Sequence, residues 1–188
     1  MNFFQIAGQY FQLGITHVIP LGFDHILFII CLTLLSSNLK SLILQCSVFT
    51  LAHSISLILA SADFIKIDST IVEPLIAFSI LIMAMENILR DKVRKGRIVL
   101  IFLFGLIHGL GFATALKEIG VPANYFITSL LFFNFGVETA QVLVVFTVYF
   151  FLIKKFREKV WYKERIVYPF SSMIGCVALY WMVQRIWG

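Results

Sequence analysis

Apolar residues fall into six long runs, roughly 20–37, 41–61, 71–90, 97–117, 124–153 and 166–186. Each is long enough to cross a bilayer, which takes about 20 residues of helix. The fifth exceeds that length and is expected to tilt or to project beyond the hydrocarbon. Residues 2–16 are too short to span. Phe3, Phe4, Ile6, Phe11 and Leu13 can line one side of a helix lying at the outer interface, or of a re-entrant segment. The pattern predicts an all-α, polytopic membrane helix bundle of about six transmembrane helices plus a short N-terminal interfacial segment. Residues 1–188 form a single transmembrane domain on this reading.

Composition agrees with the pattern. The chain is 60% hydrophobic and only 13% charged, with a mean hydropathy of +0.95. Soluble domains are about half apolar and about a quarter charged. At 188 residues, six spans leave no room for a soluble domain.

The net charge of +5 does not point to nucleic acid, because eleven of the 15 basic residues lie in two stretches, Arg90 to Arg97 and Lys154 to Arg165. Both join apolar runs, alternating with connections at 61–70 and 117–124 that carry little positive charge. Basic loops stay cytoplasmic, so both termini are expected outside in a multi-pass protein of the inner or plasma membrane. The partner this charge implies is the lipid bilayer, including its anionic headgroups. Trp161 and Tyr162 read as an interfacial anchor on the inner side. The first 19 residues hold no Lys or Arg, so no secretory signal peptide is expected. Cys31, Cys46 and Cys176 are scattered through apolar runs and form no metal-binding or disulfide pattern.

The chemistry resides in polar residues placed inside those runs. All four histidines, His17, His25, His53 and His108, are within or at the edge of apolar segments. Imidazoles and carboxylates are costly in lipid and rarely gather there without a task. His17-Val-Ile-Pro-Leu-Gly-Phe-Asp24-His25 is the densest motif. Pro20 and Gly22 make the helix irregular there, as is tolerated where backbone lines a protein cavity. Asp24 can bind an ion directly or orient a liganding imidazole. His53 follows Phe49 by four residues, as His108 follows Phe104, a faint internal echo. Gly105, Gly109 and Gly111 clear space around His108, for close helix packing or for a bound ion. Asn134, Glu138 and Gln141 make one helical stripe that must face the bundle interior. It serves either as a ligand and proton path through Glu138 or as a helix-to-helix hydrogen-bond seam. Glu73 is either an entrance carboxylate or a helix-start acid. Glu86 is either an exit-side carboxylate or a salt-bridge partner of Arg90 or Lys92. Depth places His53, His108 and Asn134 near the midplane and His25 about seven residues from the outer surface, at about 1.5 Å per residue. The candidate metal ligands are therefore His17, Asp24, His25, His53, His108 and Glu138. Glu73, Glu86, Asn134 and Gln141 support them.

The segments GITHVIPLGFDHILFI (14–29), FTLAHSISLILA (49–60), IVEPLIAFSI (71–80) with Glu86-Asn87, FGLIHGLGFA (104–113) and FNFGVETAQ (133–141) resemble the HupE/UreJ family of nickel-permease-like membrane proteins. The resemblance implies a divalent metal ion, nickel first, and transport as a permease. Imidazole and carboxylate donors equally suit zinc, iron or copper. The alternative is an intramembrane metal-dependent hydrolase, in which the same ligands would activate water. A third reading has the polar groups joining helices and nothing more. No HExxH or GxSxG motif names a hydrolytic mechanism, and no catalytic residue is assigned.

Overall fold

The structure, a computed structural model, describes residues 2–36, 38–94 and 96–187. No strand occurs among the described residues. The helices are α1 (Phe3–Val18), α2 (Phe23–Leu35), α3 (Leu39–Ser61), α4 (Ser69–Leu89), α5 (Arg97–Ile119), α6 (Ala123–Phe156) and α7 (Lys163–Trp187). α3 to α7 are each long and apolar enough to cross a membrane. α1 and α2, bent by 68° at their junction, make a sixth crossing if taken together. Outward faces carry Leu51, Phe78, Leu103, Leu131 and Phe151, all exposed. Apolar residues exposed along every long helix suit a lipid surround. The protein is an all-helical, multi-pass membrane bundle.

Helix ends follow local chemistry. Asn38 starts α3 by accepting from the backbone of Lys40 and Ser41, and Asp68 starts α4 by accepting from Thr70. Asn2 and Gln5 form a reciprocal cap on α1. Such caps satisfy amides that a helix leaves without partners.

The largest departure from the sequence reading is at the N-terminus. The first span, expected over 20–37, is only the 13-residue α2. The segment expected at the interface is a helix packed lengthwise on α6. Tyr10 Oη donates to the Gly120 carbonyl at 2.7 Å, while Gly14, further along α1, sits against the backbone of Phe133 and Val137. α1 and α6 thus advance in the same direction. Gly136 sits on Phe11 and Gly14 in return, so neither helix has room for a Cβ at the crossing. α1 and α2 are the two halves of a broken element, and the break is where Pro20 and Gly22 stand. A side chain at Gly22 would collide with the backbone of His17 and Val18.

α3 and α5 pack face to face through the two echoed motifs. Gly105 rests on Phe49 and Ala52, and Gly109 rests on His53 and Ser56. The short helix α2 ends inside the protein, where its last carbonyls need donors. Asn87 Nδ2 (2.9 Å) and Arg97 Nη2 (3.2 Å) donate to the Cys31 carbonyl, and Tyr162 Oη donates to that of Leu34 (2.9 Å). Tyr162, expected as an interfacial anchor, is instead 2% exposed and serves this cap. Cys31 and Cys46 are buried, whereas Cys176 is exposed.

Candidate metal centre

His17 occupies the last turn of α1 and His25 the first turn of α2. A continuous helix would set them eight residues and more than two turns apart. The bend folds the two halves toward each other, and their ring centroids stand 4.7 Å apart. Asp24, in the first turn of α2, sits where a helix N-terminus favours a carboxylate. Half-helix ends pointing into a membrane-depth site recur in transport proteins.

α3 and α5 complete the group. His25 lies at its centre, 5.9 Å from His53 and 5.1 Å from His108 by ring centroids; His17 is 6.0 Å from His53. One ring nitrogen from each of His17, His25 and His53 can be chosen so that the three lie within 4.8 Å of one another. His53 is fully buried, His108 is 1% exposed and His25 3% exposed; His17 is the most open of the four.

Hydrogen bonding fixes what these rings offer. His25 Nδ1 is 3.0 Å from Asp24 Oδ1, and His108 Nδ1 is 2.8 Å from the Phe104 carbonyl. Both acceptors require the proton on Nδ1, which leaves a lone pair on each Nε2. Neither Nε2 has a hydrogen-bond partner among the described residues. The same holds for His17 Nε2 and for both ring nitrogens of His53. An orphaned buried polar group costs about 1–3 kcal/mol, and the lone pairs that His17, His25 and His53 can turn toward one another are what a cation would satisfy. The surrounding wall is aromatic. Phe112 lies 4.0 Å from the His17 ring and stacks on Phe133, and Phe49 lies 5.0 Å from His108. Phe28 closes the side toward α2.

The predicted acids fall elsewhere. Glu138 accepts from Ser47 Oγ at 2.7 Å and from Thr50 Oγ1 on α3, and Gln141 Nε2 donates to the same Thr50 hydroxyl at 3.2 Å. The stripe does face inward, but its carboxylate lies outside the three-imidazole group and is taken up by hydroxyls. Asn134 is buried at the near end of the stripe beside His53. Its Nδ2 donates to the Leu130 carbonyl, and its Oδ1 is unpartnered among the described residues. Glu73 is about half exposed and stands 3.9 Å from Arg185 Nε on α7. Glu86 pairs with Arg97, 3.4 Å away, and not with Arg90 or Lys92.

The sequence reading leaves out the burial of Arg97, the hydroxyl of Ser47 and the phenylalanine wall, and names Thr50 only as a hydroxyl near His53. Arg97 was counted with the basic loop, yet it is 1% exposed. Its position as the first residue of α5, directly before an apolar run, was the available signal. Ser47 and Thr50 precede His53 by six and three residues, so their place on one side of α3 was recoverable from helical spacing. The Phe wall was invisible among 20 phenylalanines.

Comparison with known proteins gave no match among curated proteins and none among solved structures. A family model described as HupE / UreJ protein matches residues 2–185. With nearly the whole length covered, and with the histidine-bearing segments inside the match, the chain belongs to the HupE/UreJ family.

Proposed function

We propose that this protein moves a divalent cation, nickel in the first instance, across the membrane through the imidazole cluster. The observation that carries the reading is the convergence of three ring nitrogens within 4.8 Å, with the Nε2 atoms of His17 and His25 and both ring nitrogens of His53 unpartnered. Imidazole binds such ions at about 2.0–2.1 Å, so three nitrogens around one ion stand about 3.4–3.6 Å apart. The three nitrogens, within 4.8 Å of one another, would draw in by about 1 Å on binding. Neutral imidazoles let an ion come and go more easily than a cage of carboxylates does. Asp24 supplies one negative charge at the edge of the group, which offsets part of the cation's charge without sequestering it.

On this reading the cation reaches the group past His17, the least buried ring, at the break between α1 and α2. The two basic connections, which meet at one end of the bundle through Lys163 and Asp91, would face the cytoplasm, with both termini outside. A bent half-helix pair is a natural moving part, since its junction absorbs a change of angle without breaking the α3–α5 pair.

Uptake of radiolabelled nickel into proteoliposomes tests the proposal. Wild-type protein is expected to fill the vesicles well above empty liposomes, and His53→Ala to abolish the difference. Wild-type uptake equal to that of empty vesicles, with correctly folded and inserted protein, overturns it.

A further inference from the structure

A second feature lies at the opposite, basic end of the bundle, where α4 and α5 diverge into the turn that joins them. A groove of about 400 Å³ opens there. Its walls are apolar, from Ile82, Met85, Leu89 and Leu100, and Arg90, Arg94 and Arg97 line its charged end. Glu86 is the one carboxylate among the lining residues. It stands 3.4 Å from Arg97 Nε, so one acid faces three guanidinium groups.

Those guanidinium groups are under-used. Arg97 is 1% exposed; its Nη2 donates to the Cys31 carbonyl, but its Nη1 has no hydrogen-bond partner among the described residues. Arg90 and Arg94 are exposed and form no ion pair with a described carboxylate. Asp91, the acid next to Arg90, is already paired with Lys163, so it does not quench the groove. Arginine forks match phosphate oxygens bidentately. Three arginines beside an apolar channel at a helix end match a ligand with an anionic head and a hydrocarbon tail. Basic pockets between transmembrane helices on the cytoplasmic side hold such lipids.

We infer that this groove is a binding site for one anionic phospholipid. Arg90 and Arg94 clamp its phosphate above Arg97, and an acyl chain lies along Met85, Leu89 and Leu100. A free phosphate would leave the apolar wall uncovered, and a zwitterionic lipid would not match the excess of positive charge. The site is separate from the imidazole cluster and does not depend on metal transport.

The test uses the full-length protein in detergent, titrated with phosphatidylglycerol against a phosphatidylcholine background, with retained lipid read by native mass spectrometry. Each arginine near the surface contributes about 1 kcal/mol, so Arg90→Gln with Arg94→Gln is expected to weaken retention about 30-fold. Leu100→Trp keeps every charge but fills the groove, and is expected to lose the lipid as well. Lys154→Gln with Lys155→Gln, at the other basic stretch, is expected to leave retention unchanged. Equal loss in the Lys154/Lys155 variant reassigns the effect to diffuse charge and overturns the site. Full retention by the Arg90/Arg94 variant also overturns it. So does displacement of the lipid by millimolar inorganic phosphate, which would make the ligand a free anion.

Discussion

Two polar regions of α3 lie one turn apart and have opposite character. Thr50 joins Ser47 and Gln141 around Glu138, and the Glu138 carboxylate accepts from two hydroxyls. His53, three residues on, is fully buried with neither ring nitrogen hydrogen-bonded among the described residues. The first region is complete without a ligand and joins α3 to α6. The second leaves its ring nitrogens without partners among the described residues, as the proposed cation site requires. Residue type alone does not separate them, since both are polar groups at membrane depth. What separates them is whether neighbouring donors and acceptors already balance, which is the accounting that a low-dielectric interior enforces.

The sharpest way to break this contrast is to remove a ligand. His25→Ala and His53→Ala should each cost metal retention more than the about 10- to 100-fold typical of losing an outer partner. Elemental analysis of purified protein, wild type beside each variant, reads this directly. Metal retained at wild-type stoichiometry in both variants would show that the imidazoles do not hold it.

Asp24→Asn comes next. The Asp24 carboxylate fixes the His25 tautomer from 3.0 Å and removes one negative charge when replaced. Loss of such a partner typically costs about 10- to 100-fold in metal affinity. A nickel titration by calorimetry should show that loss with the fold intact, whereas an unchanged affinity would reduce Asp24 to a helix-start acid.

Glu138→Gln tests the other side. It should destabilise the bundle by about 1–3 kcal/mol through weakened hydrogen bonds to Ser47 and Thr50, while nickel affinity stays at the wild-type value. A lowered melting temperature with unchanged titration sharpens the contrast. A lost titration with an unchanged melt would move Glu138 into the metal site.

How much of this the sequence revealed follows the same physics. The five long helices begin and end close to the expected positions because bilayer thickness and capping residues set their length. The stripe of Asn134, Glu138 and Gln141 was legible because helical spacing is fixed. The first crossing was misjudged because α1 owes its place to Gly14 and Gly136, a long-range fit between two glycines that hydropathy does not register. The four histidines stand out in the sequence, but which of them meet depends on a 68° bend whose angle no local pattern encodes. For Glu73, Glu86 and Glu138 the sequence leaves a site role and a helix-joining role both open, because their partners, Arg185, Arg97, Ser47 and Thr50, are remote in sequence.

The smallest expected effect concerns an ion pair in water, a counterpoint to both buried regions. Asp63, in the turn after α3, accepts from Lys117 Nζ at 2.7 Å, and that hydrogen bond holds its carboxyl below the usual carboxylate range. A depressed acid contributes stability above its ordinary pKa and loses it as pH falls through the lowered one. The tether between this turn and the end of α5 should therefore weaken only in strong acid. Asp63 adopts a left-handed backbone, φ 62°, which Asn also tolerates, so Asp63→Asn isolates the charge. Because the pair is exposed and screened by salt, the melting temperature should barely move. Hydrogen exchange over 62–68 should be slightly faster in the variant at neutral pH and identical to wild type at strongly acidic pH. A large stability loss at neutral pH would mean that this turn bears structural weight comparable to the buried regions, and the contrast between wet and dry polar groups would fail at this site.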